Sequence, residues 1–449
     1  MKNDLTEGSV LKKLIAFVLP IFGANLLQAM YGTVDLIVVG YFSDKAAVSA
    51  VATGSMAMQT INGIITGLSM GSMVHLGHLI GKKDFQRATH AVASAFMIFL
   101  ILGAFLMGAV PLTAPLLAKC MNAPTEAVSQ TISYIRICGV GIIAIIFFNG
   151  ISSMFRGVGD SKSPFILMLI SCLVNIGGDL LLVGVYDMGT AGAAIATVFA
   201  QLVSVLASVL IIVKRGFGFK LQRVSLRPTR EDSRKILKYG LPIAAQEALT
   251  GLSFAVIMAI LNDFGLVASA GVGIAEKIVG LIFIVPGAIM AAVSAFTAQN
   301  KGAGKIDRAK KSMYIGMIIS LAVGVVMFYL SFFHGDLLSS FFTKDHDVIE
   351  AAADFLRSYA IDCALVSFNF NMMGYLNGCG QTLFVSIQGI VSTFLVRIPF
   401  SYFMSKVPDV SLFQVGLATP CATIFAIVLT GIYLINYNRK QKMIHLENP

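Results

Sequence analysis

Residues 14–41 read LIAFVLPIFGANLLQAMYGTVDLIVVGY, an apolar run long enough to cross a bilayer as one helix. Within it stand Asn25, Gln28, Tyr31 and Asp35, at steps of three, three and four residues. On a helix that spacing stacks the four side chains on one face. A carboxylate at the centre of a span costs at least roughly 2.5–3.5 kcal/mol on insertion scales, so it normally faces a bundle interior or a wet cavity. The other reading is that Asp35 lies near the helix end and snorkels to the interface ahead of the polar turn Ser43–Lys45. Either way the stretch predicts a transmembrane helix with one polar face, and that face asks the later helices for partners.

The rest of the chain has the same character. Its 449 residues are 57% hydrophobic and only 12% charged, where a soluble domain carries about 25% charged residues. The chain is therefore expected to be an all-α integral membrane protein. Twelve apolar runs qualify as spans: roughly 14–41, 47–74, 91–117, 134–155, 164–185, 192–213, 239–262, 267–297, 313–334, 355–376, 383–405 and 413–436. Prolines 20, 242 and 286 fall inside spans, where neighbouring helices tolerate them. Lys12 and Lys13 precede the first apolar run, but that run is too long for a signal peptide and lacks a small-residue cleavage site, so it is expected to be retained.

The formal charge of +10 is distributed unevenly. Alternate connecting segments carry 25 basic residues on one side of the membrane and 6 on the other, nine of the 25 in the loop 214–238. The positive-inside rule then places both termini in the cytoplasm, for a multi-pass protein of the plasma (inner) membrane. The same asymmetry accounts for the basic balance without a nucleic-acid partner, and no run resembles a nucleic-acid-binding module. The six cysteines form no close pair and read as helix-packing residues. His75 and His78 lack further ligands nearby and do not suggest a metal site.

The chain repeats itself. A shift of 221 lays GKKDFQRA (81–88) on GAGKIDRA (302–309), YIR (134–136) on FLR (355–357), and RGVGDS (156–161) on NGCGQT (377–382). A shift of 222 lays Leu19-Pro20 on Leu241-Pro242. One near-constant offset over four separated segments implies duplication. Six spans per half is an even number, so both halves insert the same way up, related by a pseudo-twofold axis along the membrane normal. The expected organisation is a six-helix bundle over 1–213, a basic cytoplasmic linker over 214–238 and a second six-helix bundle over 239–449.

The residues quoted so far, with four further stretches, resemble the multidrug and toxic compound extrusion (MATE) family of the prokaryotic NorM/DinF-like kind. The stretches are RGVGDSKSP (156–164) between the fourth and fifth spans, NIGGD (175–179), GAAIAT (192–197) and QNKGA (299–303). The resemblance covers nearly the whole chain. It implies a cation-coupled antiporter, not an enzyme, that exports cationic amphiphilic drugs and toxic compounds by alternating access. It also implies that Asp35, Asn175, Asp179 and Thr197 form a cation site in the first half.

The residues themselves lead the same way. Asn175 and Asp179 are four apart and share a face, as are Thr197 and Gln201. With Asp35, three spans offer oxygen ligands at membrane depth. Carboxylate, amide and hydroxyl oxygens suit a hard cation such as Na⁺, while two close carboxylates can instead share and carry a proton. The plainer alternative is interhelical hydrogen bonding alone. In the second half Glu247 and Asp362 are candidates for another cation site, since the resemblance to NorM-type members implies acidic positions in those two helices. Glu276, Lys277 and Arg397 are also present there, and Glu276 and Arg397 could simply neutralise nearby charges. Gln28, Tyr31, Asn149, Met154 and Gln201 are candidates to line a substrate cavity. The 32 Phe and 21 Met offer a soft interior for varied flat cations.

No cofactor is expected beyond the coupling ion, Na⁺ or H⁺. Neither glycine-rich stretch is a P-loop: Gly304-Lys305 is followed by Ile306 where Ser or Thr is needed, with Gln299 in place of the first glycine. Transport must then draw on an ion gradient. The expected partners are small organic cations and membrane lipid, with the protein a monomer. The rival function is a lipid-linked oligosaccharide or other lipid flippase of the same superfamily. That function usually goes with a basic cavity, whereas here only Lys277 and Arg397 are basic at membrane depth. An intramembrane protease built on two aspartates is a third class, and the full-length duplication argues against it.

Overall fold

A computed structural model describes residues 4–219, 221 and 226–447, with side chains through residue 441. Among the expected basic residues, Lys2, Lys220 and Arg223 lie outside the described residues, as does the side chain of Lys442.

The described residues form helices and connections, with no strand. In chain order they are α1 (Val10–Phe42), α2 (Lys45–Gly81), α3 (Phe85–Cys120), α4 (Val128–Val140), α5 (Ile142–Gly157), α6 (Lys162–Asp179), α7 (Gly189–Arg215), α8 (Arg230–Asn262) and α9 (Leu266–Ile282). There follow α10 (Ile284–Gly302), α11 (Ile306–Phe333), α12 (Gly335–Ser340), α13 (His346–Gly378), α14 (Thr382–Ser392), α15 (Ile398–Ser405), α16 (Leu412–Gly416) and α17 (Ala418–Glu447). A π-helical turn, Leu180–Val185, continues α6, and another, Thr393–Arg397, joins α14 to α15. Helices are what an apolar chain must adopt in lipid, because each segment satisfies its own backbone groups. The polar connections start the next helix: Asp44 caps α2 through the Ala47 amide, and Asp84 caps α3 through the Arg87 amide.

Among the described residues, ten helical segments are long and apolar enough to cross a membrane, and the pair α4–α5, bent by 54° at Gly141, makes eleven. Apolar length alone therefore does not reach the expected twelve. The remaining expected span, 355–376, falls in α13, which at 33 residues is long enough but carries a row of buried polar side chains: Ser358, Asp362, Ser367, Asn371 and Asn377. It packs against α9, α11 and α17, which enclose those groups.

The duplication is visible in the backbone. Lys83 and Gly304, equivalent at the offset of 221, both turn at positive φ (59° and 73°), as do Gly159 and Gly380 (86° and 75°). Asp187 and Asp409, equivalent at 222, do the same at 55° and 54°. Hydrogen bonds repeat as well. Gly159 N–H donates to Arg156 and Asp160 N–H to Phe155; Gly380 N–H donates to Asn377 and Gln381 N–H to Leu376.

By contacts the chain divides into two compact units, one running to Glu247 and including Ala298–Lys305, the other comprising Ala248–Thr297 and the chain from Ile306. In the first unit α1 packs on α6, α2 on α5 and α4, α3 on α4 and α5, and α6 on α7. Phe99, Ile142, Ile146, Ile151, Phe155 and Leu167 fill its core. Small residues set the close crossings, as is usual between spans: the Phe99 ring lies against Gly150, and Val198 against Gly141. In the second unit α13 is central, against α9, α11 and α17, with Ile257, Val272, Ile278, Leu356 and Tyr359 in the core.

The first unit also holds a closely knit polar end. Leu5 N–H donates to Gln299 Oε1 at 3.2 Å, Asn300 Nδ2 to the Leu5 carbonyl at 3.2 Å, and Lys305 Nζ to the Thr6 carbonyl at 3.0 Å. Gln299 Nε2 donates to the Gly157 carbonyl at 2.9 Å. The QNKGA stretch thus ties the N-terminal segment to the end of α5. Nearby, His75 Nε2 lies 2.8 Å from Asp232 Oδ1, both buried, and Thr229 Oγ1 donates to Asp232 Oδ2 at 2.5 Å. Asp232 sits in the first turn of α8, ahead of its apolar span. Burial pushes its carboxyl up, but the bonds from His75 and Thr229 and the charges of His75 and Arg87 outweigh burial and hold it at about 2.

Candidate functional site

The first-half polar residues converge. Asp35 on α1 is 2% exposed, and Asn175 and Asp179 on α6 are fully buried. Helical spacing puts Asn175 and Asp179 one turn apart on the same face. Thr197 on α7 donates from Oγ1 to Asp35 Oδ2 at 3.3 Å, and Tyr31 Oη donates to the Thr197 carbonyl at 3.3 Å. Asn175 and Asp179 lie beside the Asp35 carboxylate. Three helices therefore bring the four predicted residues to one place.

Their hydrogen bonding is incomplete. Asp35 Oδ1, both side-chain atoms of Asn175 and both oxygens of Asp179 are buried without a hydrogen-bond partner. Buried polar groups in folded proteins are nearly always paired, and an unpaired one costs about 1–3 kcal/mol, more if charged. Four of these five atoms are oxygens, on two carboxylates and an amide, and they form a ligand set that a small hard cation or a proton satisfies. Among the described residues, no group of three or more His, Cys, Asp or Glu gathers as a transition-metal site would require. Asp179 is also the last residue before the π-helical turn Leu180–Val185, a deviation frequently found at functional positions.

The residues expected to line a cavity are scattered. Tyr31 is buried against the cluster just described. Gln28, one turn earlier on α1, is exposed. Gln201, one turn beyond Thr197, is half-buried with its Oε1 unpartnered. Asn149 is engaged in structure: it accepts from Thr66 Oγ1 at 3.2 Å and donates through Nδ2 to Asn62 Oδ1 and the Ile145 carbonyl, both at 2.9 Å. Met154 is completely enclosed in the first-half core. It presents no surface to a cavity there, because Phe155, Ile151 and their neighbours close around it.

The second-half candidates belong to different compact units. Glu247 on α8 belongs to the first unit, is exposed, and faces Gly63 of α2. Asp362 on α13 belongs to the second unit and is 1% exposed, facing Thr423 and Arg397. Around Arg397 stands a network that sequence reasoning saw only in part. Its Nη2 donates to Tyr359 Oη at 2.7 Å, its Nε donates to Thr419 Oγ1 at 3.1 Å, and its guanidinium lies 4.7 Å from the centroid of the Phe254 ring. Tyr359 Oη in turn donates to Glu276 Oε1 at 2.7 Å, with Arg397 4.0 Å from that oxygen. Tyr359 and Thr419 were missed. The signal for Thr419 is the repeat itself, since at the offset of 222 it is the counterpart of Thr197.

A duplicated helical fold with ionisable groups buried inside apolar spans defines an integral membrane transporter. The MatE family model matches residues 20–181 and again 242–403, and the second match starts and ends at the offset of the internal repeat. The chain belongs to this family of multidrug efflux transporters. It is 26% identical over 404 residues to the probable multidrug resistance protein YpnP of Bacillus subtilis, covering 90% of each chain. It is 26% identical over 420 residues to the probable multidrug resistance protein NorM of Thermotoga maritima, covering 93% of this chain and 89% of that one. The fold matches a solved outward-facing multidrug resistance MATE family transporter of the MOP superfamily with a TM-score of 0.91, at 19% identity over 98% of this chain and 99% of that one.

Proposed function

We propose that this transporter is an antiporter that moves Na⁺ or H⁺ inward and cationic amphiphilic drugs outward. The observation that carries the reading is the set of four unpartnered buried oxygens on Asp35, Asn175 and Asp179, beside the Thr197 hydroxyl on Asp35. A site that lacks only a positive charge binds a cation better in the conformation that assembles it. That differential affinity is what shifts the population between two states of an alternating-access carrier. The drug class is supported by the names of the relatives and by the acidic character of the first-half spans. The charge asymmetry of the connecting segments supports a plasma-membrane protein with both termini in the cytoplasm. The duplication supplies both halves in one chain, which supports a monomer.

The test is efflux of a fluorescent organic cation from proteoliposomes under a Na⁺ gradient alone and under a pH gradient alone. One of the two gradients drives export, and Asp35→Asn or Asp179→Asn abolishes it. Undiminished gradient-driven export by both variants sinks the reading. The flippase alternative calls for free positive charge at membrane depth; Arg397 is engaged with Tyr359, Thr419 and Glu276, which weighs against it and leaves only the exposed Lys277 for that role.

A further inference from the structure

The two halves match at an offset of 221 over RGVGDS (156–161) and at 222 on either side of the cluster. Asp187 falls on Asp409 with the same left-handed turn, and the two family matches begin and end at that offset. At 222, Thr197 falls on Thr419, Asp35 on Ile257, and Asn175 on Arg397. Where the first half has a threonine hydroxyl on a carboxylate, the second has a guanidinium on a threonine hydroxyl.

We propose that Arg397 is a tethered cation that permanently fills, in the second half, the place where the first half takes an exchangeable one. The inference rests on the reading of Asp35, Asn175, Asp179 and Thr197 as a cation site. Charge supports it. The first-half cluster has two carboxylates, Asp35 and Asp179, and no basic side chain among the groups that act on them. The second-half cluster has two carboxylates, Glu276 and Asp362, with the guanidinium of Arg397 acting on both. It therefore has the charge that the first cluster acquires when one monovalent cation is aboard. Geometry supports it too. Arg397 is only 8% exposed, and its head is held by Tyr359, Thr419 and the Phe254 ring. Asp362 Oδ1, 1% exposed as a residue, has no hydrogen-bond partner and is left with the field of that guanidinium. A mobile ion has nothing to add there, so coupling runs through the first half alone, and Arg397 sets the number of cations carried.

The test is the cation dependence of thermal melting of the purified full-length protein in choline, in saturating Na⁺, and in choline at mildly acid pH. A ligand that binds only the folded state raises the melting temperature by mass action. Asp35→Asn with Asp179→Asn removes the dependence seen in wild type. In that background Arg397→Asn, which installs the first-half residue, restores a rise with Na⁺ or with acid, and Arg397→Lys does not. The proposal is overturned if the Arg397→Asn protein melts at one temperature in all three media. It is equally overturned if that protein folds in none of them, or if Arg397→Lys becomes as cation-dependent as Arg397→Asn. Should the double aspartate variant keep the full wild-type dependence, the first-half reading fails by itself, and the gain or absence of gain on changing Arg397 still decides the present one.

Discussion

Gly81 of α2 and Gly302 of α10 lie against each other's helices: a β-carbon on Gly81 would overlap the carbonyl oxygen of Gln299, and one on Gly302 the carbonyl oxygen of His78. Gly81 and Gly302 are counterparts in the repeat, and so are His78 and Gln299. The contact maps onto itself under the repeat, so the duplicated GKKDFQRA and GAGKIDRA segments meet their own copies. Gly81→Ala or Gly302→Ala forces the two backbones apart and costs about 1–3 kcal/mol, the usual range for overpacking. Melting temperature reads the loss. Gly108→Ala on α3, where a β-carbon meets nothing within 4 Å, serves as the control and leaves melting unchanged or slightly raised.

Thr197 tests the proposed cation site without touching a carboxylate. Thr197→Ser keeps the hydroxyl on Asp35, whereas Thr197→Ala removes it. A single hydrogen bond is worth about 1 kcal/mol, or roughly fivefold in binding. The concentration of coupling ion giving half-maximal efflux is expected to rise by about that factor in the alanine variant and to stay near wild type in the serine variant.

Asn149 is expected to behave as a structural residue. Asn149→Ala strips Asn62 and Thr66 of their partner and costs about 1–3 kcal/mol. The loss appears in thermal melting, while the apparent drug affinity of the folded protein stays within about twofold of wild type, inside the spread expected of a site the substrate does not touch.

Acid sensitivity at the polar end follows from Asp232. Its folded value, about 2, lies below the ordinary 3.8, so the native state favours the ionised form. The stability this supplies is complete above pH 3.8 and is lost as pH falls through about 2. Asp232→Asn removes that group's share of the acid limb and disturbs its hydrogen bonds with His75 and Thr229, a loss of about 1–3 kcal/mol. Melting measured across the acid range separates the two: the wild-type curve falls more steeply toward pH 2 than the variant curve.

Much of this was legible because lipid makes polar residues conspicuous. Asp35, Asn175, Asp179 and Thr197 stand out in apolar runs at helical spacing, and the structure gathers them around one carboxylate. The repeat was legible because its turns need special residues, such as Gly159 and Gly380 at positive φ. Other features depended on partners that are remote in sequence. Asn149 looks free to meet a substrate until Asn62 and Thr66 of α2 are seen to hold it. Met154 has the softness of a binding residue and the surroundings of a core residue. The helix α13 falls short on apolar length because its polar face turns to protein rather than lipid. Tyr359 carried no signal of its own: only its position between Arg397 and Glu276 marks it.

The π-helical turn after Asp179 has a mechanical consequence. Such a turn holds one residue more than the α-helix around it, and that surplus can be handed along the chain without breaking the helix. Each residue the surplus passes turns by about 100°, since a helix makes one revolution every 3.6 residues. Asp179 sits at the edge of that dial. A single step would turn its carboxylate from one neighbour toward another without bending the helix that carries it.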